Sequence, residues 1–228
     1  KSPRMNVLLL TIDSLRADRV LRENSLTPTF DELAADGVDC RQAITHGHGT
    51  PVAFPAILTG TYPMLYGGCT SLSPERPALA RTLRGAGYDT AAFTSNPHLF
   101  DKYGYAVGFD DFNQYQNGSD GGAEHHSLIE RIRLAVEPHV DTGSTVYDLL
   151  RRVYYFLLTT TNERPYAPAD EINEKFLDWL DTRDSTAPFF SWVHYMDAHY
   201  PFYQDDDTLA SIGADSIPVS RQRRLNRL

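Results

Sequence analysis

One loop of this 228-residue chain could present a hydroxyl group for chemistry. Thr50 lies between Gly49 and Pro51, ahead of a mainly apolar run. Thr is favoured at the N-cap of a helix and Pro at the first helical position, so the sequence predicts Thr50 as an N-cap. Unpaired N–H groups and the positive end of the helix dipole would suit a bound phosphate or sulfate and a developing alkoxide. Thr50 is therefore a candidate nucleophile, and simple capping is the alternative.

A carboxylate follows the first apolar segment of the chain. The run from Asn6 to Ile12 is typical of a central parallel strand covered on both faces, and it ends at Asp13. Ligands bind parallel sheets at the carboxyl ends of the strands, which is where Asp13 is expected. A buried carboxylate there requires a cation or hydrogen bonds to compensate its charge.

Two histidines precede the candidate nucleophile, in the segment His46-Gly47-His48-Gly49. Imidazoles at this spacing could bind a metal or a substrate. Alternating Gly and His is also typical of a loop with exposed side chains. The sequence leaves both interpretations open.

Three segments together resemble a known family. Val7–Asp18, Thr27–Val38 and Leu58–Pro63 are similar, in this order, to the first half of the sulfatase family within the alkaline phosphatase superfamily. The resemblance implies an α/β fold of three α/β/α layers around a mostly parallel sheet. It also implies that residues 1–228 form a single domain, the N-terminal part of a longer catalytic domain.

The resemblance assigns roles to two of these side chains. In the family, the nucleophile lies nine residues before the Thr of the Leu-Thr-Gly turn, which is Thr50 when counted from Thr59. Asp13 takes the position of a metal ligand, and Thr50 would share the metal. Many members have a second acid after this Asp, whereas this chain has Ser14.

The same resemblance implies contacts to the substrate. His199 lies in a His-x-Pro motif, whose His contacts the transferred anion or the leaving-group oxygen. Where the family has a Lys and a His that hold the anion, this chain has no Lys, and His98 takes the position of the His with an offset of one residue; Asn96 and His98 are candidate substrate contacts. His194 and Asp197 are weaker candidates, because strand alternation is expected to turn them inward for packing.

The implied activity is hydrolysis or transfer of sulfate or phosphate esters with a divalent metal ion: Ca, Mg, Mn or Zn. Family sulfatases convert a Cys or Ser to formylglycine and carry an Arg four residues later, where this chain has Thr50 and Phe54. A Thr nucleophile resembles the phosphodiesterase and the phosphoglycerol or phosphoethanolamine transferase branches instead. The family's later Asp-His or Asp-Asn motif does not occur here, so a non-catalytic binding or scaffold relative is the alternative.

Composition limits the partners. The net charge is −9, which argues against nucleic acid, and the expected substrate is a small-molecule, glycan or lipid-headgroup ester. Acidic residues are mostly Asp (21, with 9 Glu), and basic residues are mostly Arg (18, with 3 Lys). This composition is typical of a halophile-like protein or of a GC-rich genome. No apolar run approaches the ~18 residues of a membrane span, so we expect a soluble chain, with the cytoplasm favoured. The oligomeric state stays open.

The elements that must position these residues follow from hydrophobic periodicity and turn signals. Helices are predicted from Thr27 to Gly37, from Thr50 with a later start or a bend at Pro55, around Leu79 and Leu83, over 145–158, and from Asp170 onward. Further strands are predicted over 38–45, Asp89–Phe93 and Phe189–Tyr195, and a surface excursion over 110–122.

Overall fold

The computed structural model describes residues 5–20, 27–68, 71–115, 149, 152–153, 166–183, 186–202, 206–218 and 221. The chain divides into two compact units. The first comprises Lys1–Tyr115 and Pro168–His199, and the second comprises Gln116–Ala167 and Tyr200–Leu228. The expectation of a single domain over 1–228 stays a prediction. In the second unit, the described residues include helix α5 (Asp206–Ser211), and Tyr166 donates a hydrogen bond to the carbonyl of Pro201.

The first unit is built around a parallel sheet. Its strands are β1 (Val7–Ile12), β2 (Asp89–Thr94), β3 (Asp111–Gln114) and β4 (Phe189–Tyr195). Over the described residues they lie in the order β1-β4-β2-β3, and every pair is parallel. The helices are α1 (Pro28–Asp36), α2 (Thr50–Thr59), α3 (Leu79–Gly85) and α4 (Ala169–Thr182). The predicted α/β class with a parallel central sheet is confirmed.

Side-chain alternation on the sheet gives each face its own helices. Phe54 of α2 contacts the rings of Trp192 and His194, which are two residues apart on β4. Phe93 of β2 contacts Phe176 of α4. Because successive strand residues point to opposite faces, α2 and α4 cover different sides of the sheet. The buried core around Trp192 therefore lies directly under the helix that begins at Thr50.

Two segments differ from the sequence prediction. Residues 38–45 form turns and irregular backbone, because their mostly exposed side chains offer no face to bury against a sheet. Part of the predicted excursion over 110–122 is instead β3, which pairs with β2 from Asp111 to Gln114. The predicted helix over 145–158 lies almost wholly outside the described residues. Within the described residues, no helix is long and apolar enough to span a membrane.

The loop after α2 is held by a buried arginine. Arg76 is 0% exposed, and its guanidinium donates hydrogen bonds to the Thr61 hydroxyl and to backbone carbonyls between residues 62 and 68. Arginine supplies donors in a fixed planar arrangement, so a single side chain can fix several carbonyls. This arrangement fixes the C-terminal end of α2 relative to the rest of the unit.

Substitution of one glycine tests the contact between α3 and the loop before β3. Gly108 has φ +90°, and a Cβ there would meet the backbone N and Cα of Arg81. We expect Gly108→Ala to lower the free energy of unfolding in urea by about 2 kcal/mol or more. Gly85→Ala is the control, since nothing lies within 4 Å of its Cβ position at the end of α3. It should leave stability unchanged or raise it by up to about 1 kcal/mol. Equal stabilities of the two variants would contradict the packing described.

Candidate active site

Asp13 occupies the carboxyl end of the sheet. Its backbone N–H donates to the carbonyl of Tyr195 at 2.9 Å, so the pairing of β1 with β4 continues one residue beyond β1. The side chain of Asp13 is largely buried, with 11% exposure. The sequence placed a carboxylate at this point, and the structure shows which groups compensate it.

Three side chains donate hydrogen bonds to the Asp13 carboxylate. The Thr50 hydroxyl and the Asn96 amide each donate to Oδ2 at 2.9 Å, and the Ser14 hydroxyl donates to Oδ1 at 3.0 Å. Thr50 comes from α2 and Asn96 from the turn after β2. The structure therefore brings together three of the residues singled out in the sequence: Asp13, Thr50 and Asn96.

These donors determine the charge of Asp13. Burial alone would raise the pKa of this carboxyl, but the neighbouring His194, through hydrogen bonding and charge, and the hydroxyls of Thr50 and Ser14 outweigh burial and lower the pKa to about 2. Asp13 is therefore ionised at neutral pH. A carboxylate with so low a pKa is a weak general base near pH 7, but its charge suits a cation or a hydroxyl donor.

The start of α2 differs from the prediction at one residue. Gly49 is the N-cap and Thr50 the first helical residue. The N–H groups of Val52 and Ala53 both donate to the carbonyl of Gly49, at 3.0 and 2.9 Å, and Pro51 has no N–H. The helix start therefore offers fewer unpaired donors to an anion than the sequence suggested. The hydroxyl of Thr50 is free of the capping role and points to Asp13 instead.

The other histidines named in the sequence lie at different places. His199 follows β4, where its N–H donates to the carbonyl of Met196 at 2.8 Å. Burial, and to a lesser extent the proximity of His199, lower the pKa of His194. His98 is exposed, and its backbone N–H donates to Asn96 Oδ1 at 3.0 Å. That bond fixes the orientation of the Asn96 amide, with its nitrogen toward Asp13.

His46 and His48 are both exposed. The ring of His46 meets the ring of Tyr62 edge-on, with centroids 5.7 Å apart. The described contacts of this segment fit the second interpretation of the sequence, a loop with exposed imidazoles.

Sequence reasoning underestimated His194. The side chain is 0% exposed, and its Nε2 lies 3.6 Å from Asp13 Oδ2. Burial lowers the pKa of His194, against the opposite effect of Asp13. The prediction that this side chain turns inward is right, but it turns toward the carboxylate as well as the core. No signal in the sequence marked this proximity, because the level of His194 with Thr11, two residues before Asp13, depends on the register between β1 and β4.

Asp197 has a structural contact. Its Oδ1 accepts a hydrogen bond from the N–H of Ala169 at 3.3 Å, at the first residue of α4. A carboxylate at the start of a helix stabilises the helix through the dipole. Asp197 therefore links the turn after β4 to α4.

The ligand atoms at this site decide which kind of metal ion it could hold. Asp13 and Thr50 present oxygen atoms, which hard divalent cations prefer. Over the part of the chain that the structure describes, no group of three or more His, Cys, Asp or Glu side chains could hold a metal ion. These two residues therefore suit part of a coordination sphere, and a full set of His, Cys, Asp or Glu ligands is not present among the described residues.

Parallel strands with polar side chains gathered at their carboxyl ends define the chain as an α/β protein with a parallel central sheet. The sulfatase family model matches residues 5–223, so the chain belongs to the sulfatase family. The resemblance seen in the sequence is confirmed. No curated protein sequence is similar enough to count as a match.

Solved structures share this fold. The phosphonate monoester hydrolase of Agrobacterium radiobacter is 23% identical at a TM-score of 0.55, over 96% of this chain and 44% of that one. BT4656, in complex with its substrate D-glucosamine-2-N,6-O-disulfate, is 17% identical at a TM-score of 0.61, and the match covers 92% of this chain and 38% of BT4656. Ps i-CgsB, in complex with k-i-k-neocarrahexaose, is 15% identical at a TM-score of 0.54, and the match covers 99% of this chain and 52% of Ps i-CgsB. This chain thus spans about half or less of the length of these proteins.

Replacement of Asn96 tests the site without any assumption about activity. Asn96→Asp keeps the acceptor for His98 but places a second carboxylate beside Asp13. We expect the free energy of unfolding at neutral pH, in EDTA, to fall by about 1–3 kcal/mol. Added Mg²⁺ or Ca²⁺ should restore part of this loss, because a cation relieves the repulsion. Asn96→Ala is the comparison, since it removes the donor without adding charge and should gain no more stability from the cation than the parent chain does. Unchanged stability of Asn96→Asp in EDTA would refute the contact with Asp13.

Proposed function

We propose that this chain carries the nucleophile of a divalent-metal-dependent sulfatase-family enzyme acting on phosphate or sulfate esters. Thr50 is the nucleophile in this proposal. The supporting observation is the 2.9 Å hydrogen bond from the Thr50 hydroxyl to Asp13 Oδ2, the oxygen that also accepts from Asn96. Such an arrangement holds one hydroxyl in a fixed direction at the carboxyl ends of the strands, where parallel sheets bind their ligands.

Each residue has a separate role in the reaction. The Thr50 oxygen attacks phosphorus or sulfur in line, and the bond to the leaving oxygen breaks. The Thr50 proton is lost to solvent, because a carboxylate with a pKa of about 2 is too weak a base to take it; Asp13 orients the hydroxyl through the hydrogen bond. His199 donates a hydrogen bond or a proton to the leaving oxygen. Water then cleaves the covalent ester from the opposite side, or an alcohol does so in a transferase.

Asp13 and Thr50 would hold the divalent cation, and Asn96 and His98 would contact the substrate anion. A bound cation would supply Lewis-acid stabilisation of the Thr50 alkoxide and of the nonbridging oxygens. Calcium, magnesium, manganese and zinc all accept such oxygen ligands. The residues of this chain contribute the orientation of the Thr50 hydroxyl and the negative charge of Asp13 beside it.

The phosphate ester is the favoured substrate. Thr cannot form formylglycine, and the family's Arg four residues later is replaced by Phe54. The Phe54 ring lies in the core against Trp192, with centroids 5.7 Å apart, so this position supplies no charge to a sulfate. The carrier of the ester is a small molecule, a glycan or a lipid headgroup, and the disulfated glucosamine bound by BT4656 is one example of a glycan ester.

Substitutions of Thr50 test this proposal. Aryl phosphate, phosphodiester and sulfate esters are assayed with each of the four cations and with EDTA. We expect Thr50→Ala to lose about 10³-fold or more in turnover and Thr50→Ser to stay within about tenfold of the parent, because Ser keeps the hydroxyl. Thr82→Ala is the control. The exposed Thr82 side chain donates its hydrogen bond to the carbonyl of Ala78, at the start of α3.

Two outcomes would contradict the proposal. Equal rates for the parent and Thr50→Ala would remove Thr50 from the mechanism. In the second outcome, none of the esters is turned over, and added cation does not raise the melting temperature of the parent chain above the response of Asp13→Asn. This result would favour the non-catalytic binding relative. Turnover of the sulfate ester alone would overturn the preference for phosphate.

A further inference from the structure

Ser14 has a backbone conformation that is rare for its residue type. Its φ is +58°, in the left-handed region, and among the described residues only Tyr66 is another non-glycine with positive φ. A residue with a Cβ is strained in this region, whereas glycine is not. Strained backbone of this kind is concentrated at functional sites. Because glycine would fit this turn at lower cost, the side chain of Ser14 calls for a role of its own.

The strained turn places the Ser14 hydroxyl against the carboxylate that precedes it. Asp13 is still paired with β4, since its N–H donates to the carbonyl of Tyr195 at 2.9 Å. The chain turns at the next residue, and the Ser14 hydroxyl donates to Asp13 Oδ1 at 3.0 Å. An ionised carboxyl group can only accept, so the hydroxyl is the donor. The strain and the hydrogen bond therefore belong to the same turn.

The two oxygens of Asp13 have different partners. Oδ2 accepts from the Thr50 hydroxyl and from the Asn96 amide, both at 2.9 Å, whereas Oδ1 accepts from Ser14. The torsion about the Cβ–Cγ bond of an aspartate is soft, so a carboxylate held at one oxygen can still rotate. Donors at both oxygens restrict this rotation. The direction in which Oδ2 meets the Thr50 hydroxyl is then restricted as well.

The contribution of Ser14 can be separated from packing. Its side chain is exposed, whereas Asn96 is 2% exposed and Thr50 belongs to helix α2. Arg16, the next cation along the chain, donates to Asp18 through Nε and one terminal nitrogen, both at 2.8 Å. The charge of Arg16 is therefore directed at Asp18. Substitution of Ser14 changes one donor of Asp13 and leaves the core in place.

We propose that Ser14 is a positioning residue: its hydroxyl holds Asp13 Oδ1 and thereby fixes the rotation of the carboxylate in which Oδ2 accepts from Thr50. The left-handed backbone of Ser14 costs stability, and the hydrogen bond contributes site geometry in return. The catalytic consequence rests on the proposed function, whereas the orientation of Asp13 does not depend on activity. Ser14 acts through Asp13 and not on the substrate.

Crystal structures of the parent, Ser14→Gly and Ser14→Thr, all in EDTA, test the orientation directly. The measured quantities are χ2 of Asp13 and the distance from Oδ2 to the Thr50 hydroxyl oxygen. We expect Ser14→Thr to keep the parent orientation, because Thr keeps the hydroxyl. In Ser14→Gly, Asp13 should occupy more than one χ2 orientation, or Oδ2 should leave hydrogen-bond distance of Thr50. A single, unchanged orientation in Ser14→Gly would overturn the proposal.

Kinetics and stability together separate positioning from a structural role. At saturating cation, with an aryl phosphodiester as substrate, we expect Ser14→Gly and Ser14→Ala to lose about five- to tenfold in kcat with little change in KM. Ser14→Thr should stay within about threefold of the parent. The melting temperature should follow the backbone instead, with Ser14→Gly above Ser14→Ala and Ser14→Thr below the parent. A kcat that follows the melting temperature across these proteins would overturn the positioning role.

The dependence on cation concentration tests a different role for the same hydroxyl. A Ser14 that bound the cation would be replaced in Ser14→Gly at the cost of affinity only. The cation concentration for half-maximal rate would then rise, and kcat would return to the parent value at saturation. That result would overturn the proposal, which expects the loss in kcat to persist at saturating cation.

The outcomes distinguish this inference from the proposed function. A displaced Asp13 in Ser14→Gly, together with equal rates for Thr50→Ala and the parent, would refute the nucleophile and leave the positioning of Asp13 intact. An undisturbed Asp13 in Ser14→Gly, together with a large loss in Thr50→Ala, would refute the positioning alone. If no ester is turned over, the crystal structures of Ser14→Gly and Ser14→Thr decide the proposal by themselves.

Discussion

The charge of one largely buried carboxylate constrains the first unit. Asp13 can stay ionised away from water only because donors surround it, and these donors come from separate parts of the chain: the turn after β1, the start of α2, the turn after β2 and the end of β4. Each donor is useful only if its own element is placed correctly. The parallel pairing of β1 with β4 and of β4 with β2 brings the strand ends to one edge and so satisfies this requirement.

Core and site share residues on the α2 side of the sheet. The ring of Phe54 contacts both Trp192, in the hydrophobic core, and His194, beside Asp13. Trp192 in turn donates to Thr11. Because protein interiors are close-packed, a change of volume at Phe54 would move the imidazole and with it the donors of Asp13. Packing and site geometry are therefore coupled here, and a substitution in the core cannot be assumed to affect stability alone.

Much of the fold was predictable because its signals are local. β1, β2, β4, α1, α3 and α4 follow apolar periodicity and terminating glycines, and the structure places them close to the expected residues. β3 was missed because its residues are largely polar and its stability comes from pairing with β2, which no local pattern reports. The positions of Asp13 and Thr50 followed from a motif. The hydrogen bond from Trp192 to Thr11 could not be predicted, since it depends on the register between β1 and β4.

The outer edge of β1 has a practical consequence. The sequence indicated a strand covered on both faces, yet β1 pairs only with β4 among the described strands, and Val7, Leu8 and Leu10 are 36%, 44% and 48% exposed. A row of open backbone donors and acceptors flanked by aliphatic side chains is a template for intermolecular strand addition. Within the described residues, this edge is therefore the place where a further strand would extend the sheet. Lysine at Leu8 or Leu10 is the replacement that natural edge strands use against such growth.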